Sequence, residues 1–326
     1  MSIDVPGLVR DELIRRIQGH SDSPLDAICA YALEPSGKLL RPTLLVESAL
    51  AVGGSADAVL PAAVGAEYGH VASLVHDDII DGDELRRGRP SVPERHGIST
   101  AIIIGDLLFF TMFESLTACR ARGIPDRLIA DAAAALTASC QDLCRGEYLE
   151  FDLIGNTVHR DVADYLAMAR GKTGAGFRAA CVVGAILGGG SPEMIEALSD
   201  YGSNVGIAFQ IHDDLLSYSG DETALGKSIT SDIHNRRLTL PVILAYQAAS
   251  PTTRARLDLV LAGRLSDQAA YAETRELVRE TGAFDRAHGI AAEYAGLADK
   301  SALLLPASEA RDRLRFYADF ATNRET

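Results

Sequence analysis

Two short runs in this chain carry residues that could do chemistry, "HDDIID" at 76–81 and "HDDLLS" at 212–217. On a helix, positions four apart face nearly the same way, so Asp77 and Asp81 project from one stripe, with Asp78 about 100° around the axis. His70, seven residues before Asp77, shares that stripe. In the second run Asp213 and Asp214 are adjacent, and Gln210 sits one turn earlier on the same side. Both runs follow strongly apolar stretches, "AEYGHVASLV" and "NVGIAFQI", where a merely solvated acidic face is not expected. Carboxylates stacked in this way repel one another unless a cation lies between them. All-oxygen donors without a cysteine cluster favour a hard ion, Mg²⁺ before Zn²⁺.

Cations recur in equally defined places. "GKLLRP" sets Lys38 and Arg41 a turn apart, and "DELRRGRP" follows the first acidic run with Arg86 and Arg87. "GKTGAG" supplies Lys172 and Thr173, "LGKSITSD" supplies Lys227, and "NRRLTLP" supplies Arg236 and Arg237. Any one of these alone reads as a solvated charge or a helix C-cap. "GKTGAG" is not a phosphate loop, because it lacks the G-x-x-x-x-G-K-[ST] spacing and a preceding strand. Cation clusters together with Mg²⁺-type carboxylate pairs point to phosphorylated ligands, held partly by Arg or Lys and partly through metal.

The elements that must position these groups read as helices. Alanine is abundant, Trp is absent, and "DRLIADAAAALTASCQDLCRGEYLEF" places apolar residues at spacings of three and four. Ser191-Pro192-Glu193 predicts a helix start, with Ser as cap and Pro in the first turn. "LTLPVILAY" is strand-like in composition, but Pro241 favours a helix beginning after Thr239. No linker or low-complexity tract divides the chain, so a single all-α domain over residues 1–326 is expected. A hydrophobic share of 47% and a charged share of 23% suit a sizeable core. The net charge of −14 argues against a nucleic-acid partner or a basic membrane-surface patch. The five cysteines lack paired spacing, and Cys140 and Cys144 suit core positions a turn apart rather than half a zinc site. The N-terminus has charges throughout and reads as no secretory signal. Apolar stretches such as "AIIIGDLLFFTMF" are broken before spanning length, so no membrane span and a reducing cytoplasm are expected.

In order and over almost the whole length, the chain resembles the trans-polyprenyl diphosphate synthases, enzymes of head-to-tail isoprenoid elongation. The motifs are "GKLLRP", "HVASLVHDDIIDGDELRRGRPSV", "GD" at 105–106, "GEYLE", "KTGAG", "QIHDDLL", "LGKSITSDI" and "TLPVI". The resemblance implies a helical bundle around a deep central cavity, a homodimer, and two Asp motifs facing each other across the cavity mouth. It implies three Mg²⁺ ions on Asp77, Asp81 and Asp213, with Asp78 and Asp214 completing the metal set. Asp77, Asp81, Asp213, Arg86, Lys172 and Lys227 become catalytic residues by position. Arg86, Lys172, Thr173, Gln210, Lys227 and Arg237 match groups that hold an allylic diphosphate. Lys38, Arg41, His70 and Arg87 match the pocket for isopentenyl diphosphate. The implied reaction joins the two to give an elongated trans-polyprenyl diphosphate.

Two departures stand out. The second motif ends on Ser217 where the family usually has Asp, which implies weaker binding of one Mg²⁺. Arg237 stands where Lys is usual, keeping the charge but not the shape. For product length, Ala72 and Ser73, about one turn before Asp77, leave the cavity open past a farnesyl tail, implying geranylgeranyl diphosphate or longer. Tyr68, Phe113 and Phe177 are candidate floors. Two rival readings are a terpene cyclase, which has no use for the isopentenyl diphosphate pocket, and a non-catalytic subunit of a heteromeric synthase. Such subunits lack the first Asp motif or the Arg pair, which this chain has.

Overall fold

Helix starts follow the local chemistry of the chain. In the computed structural model, which describes residues 4–19, 23–154, 161–219, 235 and 237–323, Ser23 caps Pro24–Leu33 by accepting from Asp26 N at 3.1 Å. Ser191 accepts from Met194 N at 3.4 Å ahead of Pro192–Ser219. Thr239 precedes a helix over Leu240–Ala248 with Pro241 in its first turn, as Pro241 predicted.

The described residues form fifteen α-helices and one two-residue hairpin. The helices that position the site are α3 (Leu40–Ala51), α4 (Ala56–Asp81), α6 (Ile98–Thr117), α7 (Asp126–Leu153), α9 (Ala175–Leu187) and α10 (Pro192–Ser219). α4 packs directly along α6; α2 (Pro24–Leu33) and α5 (Val92–His96) touch both, α1 (Val5–Gly19) packs on α3 and α4, and α8 (Val162–Ala169) packs on the turn that precedes α9. Later helices Leu240–Ala248 and Ala283–Ala302 pack on one another, and Ala283–Ala302 packs along α10. The fold is all-α, and its apolar side chains gather in three buried clusters.

The hairpin was not foreseen. Strands β1 (Leu85–Arg86) and β2 (Arg89–Pro90) pair antiparallel, with Arg86 opposite Arg89. The two turn residues, Arg87 and Gly88, have φ of 52° and 75°, the left-handed pair that a tight hairpin requires. Gly takes that conformation freely, whereas Arg87 holds it at a cost of roughly 1–2 kcal/mol.

The expectation that apolar stretches are broken before spanning length does not hold for two helices. By length and composition two helical stretches, Ala56–Asp81 and Ile98–Arg122, are long and apolar enough to cross a membrane. In the first, 72% of the most apolar window is buried inside the fold, and in the second 39%. An apolar helix that sits in a protein core needs no charges to interrupt it.

Candidate active site

The C-terminal turn of α4 carries Asp77, Asp78 and Asp81 to the mouth of a cleft, and their surroundings separate them. Asp78 is buried and its Oδ1 accepts from Arg86 Nε at 2.8 Å and Nη2 at 2.5 Å. Burial pushes the Asp78 carboxyl up to about 6 despite Arg86. Arg86 also reaches Asp83 at 3.2 Å. The hairpin therefore delivers Arg86 to the acidic motif itself, so the guanidinium stands behind the motif.

Asp81 accepts from Arg237 Nη2, and its backbone carbonyl accepts from Asn235 Nδ2 at 3.3 Å. Lys172 donates to Glu150 Oε2 at 2.6 Å and to Glu147 Oε1 at 3.1 Å. Arg237 Nη2 lies 3.5 Å from the same Glu150 oxygen. Burial raises the Asp77 pKa; Lys172 and Arg237 oppose the rise, and Asp81 and Glu150 add to it. Burial works against the Lys172 ammonium, yet Glu150 and Asp77 keep its pKa above the ordinary value. The mouth is thus a crowded alternation of acids and bases poised around a shared space.

On the facing side, Thr173 Oγ1 donates to Gln210 Oε1 at 2.5 Å, and Gln210 Nε2 donates to Asp214 Oδ1 at 2.9 Å. Asp214 Oδ2 accepts from Tyr165 OH at 2.7 Å and from Leu240 N at 3.3 Å. Both Asp214 oxygens are engaged by protein donors and the residue is buried. Asp78 and Asp214, expected in the metal set, hold Arg86 and the Tyr165–Gln210 pair, as Asp81 holds Arg237. Ser217 is buried a turn beyond Asp213. Lys227 lies outside the described residues, as does Arg236.

Of the remaining predicted cations, Arg41 and Arg87 act on His70. Arg41 stacks over Phe177 with its guanidinium carbon 4.4 Å from the ring centre. Arg87 Nη1 donates to Pro35 O at 2.6 Å, and Nη2 lies 3.9 Å from Glu67 Oε1. Burial, then the charges of Arg41 and Arg87, push the His70 pKa well below its usual value, so its imidazole is neutral. Lys38 is exposed, 5.8 Å from the Phe320 ring on the helix Glu309–Asn323. Glu67, Glu147 and Glu150 were not singled out from the sequence. A Glu inside the apolar run "AEYGH" and two in "GEYLE" were the available signals.

Below the charged mouth the cleft is apolar. Ser73, Gly69, Ala66 and Ala62 of α4 form one wall, opposite Phe109, Met112 and Leu116 of α6, with Cys140 and Leu143 of α7 and Val183 of α9. Counting its open mouth, the cleft holds about 740 Å³. Ala62 is fifteen residues below Asp77, roughly 22 Å along the helix axis. Ser73 lines this cleft, but Ala72 and Tyr68 do not: both are packed in the core on other faces of α4. The candidate floors Phe113 and Phe177 are likewise not among the lining residues, and Phe177 is fully buried beneath Arg41. Helical rotation of about 100° per residue separates neighbours such as Ala72 and Ser73 onto different faces.

The chemistry of the donors at Asp77, Asp81 and Asp213 suits a hard cation. All three are carboxylates, and burial of Asp77 leaves its charge poorly solvated. Among the described residues no three acidic, imidazole or thiol groups come together closely enough to hold a metal by themselves. Mg²⁺ does not need such a group, since it keeps several waters and is usually bound through one or two carboxylates together with substrate phosphates.

An all-α bundle with a charged mouth over an apolar cleft defines a class of enzymes that act on a polar head joined to a long hydrocarbon tail. Residues 22–278 match the Polyprenyl synthetase family model. The chain is 38% identical to a short chain isoprenyl diphosphate synthase of Methanothermobacter thermautotrophicus, over 97% of this chain and 95% of that protein. It superposes on the crystal structure of geranylgeranyl pyrophosphate synthetase from Pyrococcus horikoshii with a TM-score of 0.87 at 34% identity, covering 98% and 96% of the two chains. A polyprenyl synthase from Caulobacter crescentus complexed with calcium and isoprenyl diphosphate gives a TM-score of 0.87 at 30% identity, covering 100% and 99%. This chain belongs to the polyprenyl synthetase family and is a prenyl diphosphate synthase, a prenyltransferase.

Proposed function

We propose that the enzyme condenses isopentenyl diphosphate with an allylic diphosphate in a Mg²⁺-dependent reaction, and that its product is geranylgeranyl diphosphate or a near neighbour in length. The observation that carries this reading is a cleft that begins at Lys172, Arg41 and His70 and runs between apolar walls down α4 to Ala62, with Asp77 close enough to Lys172 to feel its charge. The Caulobacter structure, with calcium and isoprenyl diphosphate bound, supports a divalent cation and a diphosphate in such a site.

Asp77, Asp81 and Asp213 would hold the cation, which supplies Lewis-acid stabilisation of negative charge on the departing diphosphate. Lys172, Arg237 and the Thr173–Gln210 pair bind the diphosphate oxygens from the protein side, where preorganised donors gain most from exclusion of water. The allylic C–O bond breaks with its electron pair leaving on the diphosphate. The double bond of isopentenyl diphosphate, held by Arg41, Arg87 and His70, then donates its π pair to the allylic carbon. Loss of a proton from the adjacent carbon to the released diphosphate restores an allylic diphosphate. The apolar walls exclude the water that would otherwise trap the cation.

Tail length follows from geometry. An extended hydrocarbon advances roughly 1.2 Å per bond, so the main chain of a farnesyl group spans roughly 13 Å and that of a geranylgeranyl group roughly 18 Å. The α4 wall, roughly 22 Å long, admits the longer one. A second copy of the chain is the proposed cover for the exposed apolar face of α6, where Ile98, Ile103 and Phe110 are 59%, 54% and 71% exposed.

Incubation with Mg²⁺, isopentenyl diphosphate and farnesyl diphosphate tests the reading, with products resolved by chromatography. An elongated diphosphate is the expected result, and Asp77→Ala abolishes it while leaving the fold intact. Released hydrocarbon would mean a cyclase, and turnover only with a second, different chain would mean a subunit. Neutralising Arg41 or Arg87 raises the KM for isopentenyl diphosphate selectively.

A further inference from the structure

Lys172 and Thr173 do not sit on an ordinary helix. Residues Arg170–Gly174 form a π-turn that joins α8 to α9, a wider coil that is uncommon and frequently marks a functional position. Each flank of this turn is pressed against a neighbouring helix through glycine. On one flank, a methyl group added to Gly146 of α7 would overlap Lys172 N and the carbonyl carbon of Gly171. The contact is reciprocal, because a methyl on Gly171 would lie 2.7 Å from Gly146 Cα and 3.2 Å from Asp142 O. On the other flank, a methyl on Gly206 of α10 would lie 2.5 Å from Gly174 Cα and 3.1 Å from Gly174 N. All of these neighbours are backbone atoms, which cannot step aside as a side chain does.

The side chains that hold the turn's two polar groups lie next to these contacts. Gly146 is followed on α7 by Glu147 and Glu150, which accept from Lys172 at 3.1 and 2.6 Å. Gly206 is one turn before Gln210 on α10, which accepts from Thr173 at 2.5 Å. Close helix packing by itself would explain one glycine contact. It does not explain why two helices grip the same five-residue turn from opposite flanks, each offering the partner of one of the two polar side chains between them.

We propose that Gly146, Gly171 and Gly206 are positioning residues. Their backbone contacts set the height and rotation at which the π-turn presents Lys172 and Thr173 to the diphosphate of the allylic substrate. This rests on the reading of Lys172 and Thr173 as diphosphate ligands given above. A methyl at Gly146 displaces the Lys172 end of the turn, and one at Gly206 displaces the Thr173 end.

The test compares steady-state kinetics of Gly146→Ala and Gly206→Ala with wild type, per folded enzyme as scored by circular dichroism. Gly54→Ala serves as comparator: its methyl would meet Gly188 Cα at 2.6 Å, a contact as close as that at Gly206 but away from the mouth. The expected result is a fall of at least about tenfold in kcat/KM for the allylic substrate, with the KM for isopentenyl diphosphate within about twofold. Gly54→Ala lowers Tm but shows no such selectivity. In a Lys172→Ala background, Gly146→Ala should add less than about a twofold loss, because the group it positions is already gone. In a Thr173→Ala background the same holds for Gly206→Ala. Undiminished losses in those backgrounds, or equal effects on both substrates, would overturn the proposal. Should either variant fail to fold, Gly171→Ala carries the same comparison, and failure of all three to fold makes the contacts determinants of stability only. A wild-type enzyme inactive with both diphosphates and Mg²⁺ would instead sink the proposed function, and this inference with it.

Discussion

Lys172 Nζ lies 2.6 Å from Glu150 Oε2, and the same oxygen stands 3.5 Å from Arg237 Nη2. One buried carboxylate therefore sets the spacing of two cations that enter the mouth from different parts of the chain. Glu150→Gln keeps the shape and removes the charge. Lys172 retains Glu147 and Arg237 retains Asp81, so the stability loss should stay near 1–3 kcal/mol, the usual penalty for weakening a buried polar pair. The kinetic loss should be at least about tenfold in kcat. Thermal unfolding and kinetics on the same preparation check this; a kcat within twofold of wild type would remove Glu150 from the positioning of the mouth.

Met112 lies across the cleft from Gly69, where an added methyl would overlap its Sδ. Gly69 is two turns below Asp77, roughly 12 Å down the axis, close to the end of a farnesyl tail. A thioether on a flexible side chain can swing aside, whereas a rigid ring at that depth cannot. Met112→Phe should stop elongation at or before farnesyl diphosphate, and Met112→Ala should lengthen the product. Substitution of Ala72, which is packed away from the cleft, should change stability and not length. Chromatography of the products distinguishes these outcomes, and unchanged length in both Met112 variants would place the floor elsewhere.

Glu67 is buried beside Arg87 and Arg41, and burial raises its pKa despite both. An acid whose folded pKa is raised favours the fold most while it stays protonated. Its contribution is fully present below the unfolded pKa and is lost as pH rises through the raised folded value. Glu67→Gln removes that loss. In metal-free buffer, the variant's Tm relative to wild type should therefore rise between pH 4.5 and pH 7.5. A Tm difference that is flat or falls with pH would contradict the burial argument.

Ser217 is buried, so a carboxylate there would lack solvent. Ser217→Asp should lower Tm in chelator, by an amount near 1–3 kcal/mol of stability. Mg²⁺ with a diphosphate should restore it, and the Mg²⁺ concentration for half-maximal rate should fall. A Tm loss that Mg²⁺ does not reverse would mean that position 217 faces the packing and not the ion.

The sequence by itself determined the helices, their caps and the acid stripe. Ser191 caps the helix that begins at Pro192, and Pro241 opens the one that begins at Leu240, because capping and proline geometry act within one turn. Asp77 and Asp81 share a face because the helical period places them there. Tertiary structure decided which partner each carboxylate meets. Asp214 is occupied by Tyr165, 49 residues away, and Asp78 by an Arg86 that only a left-handed turn at Arg87 and Gly88 can aim. It also decided that Ser73 faces the cleft and Ala72 the core, and that Gly146 and Gly206 meet the Lys172 turn. Local pattern encodes what a few consecutive residues settle among themselves. Contacts between helices distant in the chain depend on how their faces dock, and no short stretch of sequence carries that information.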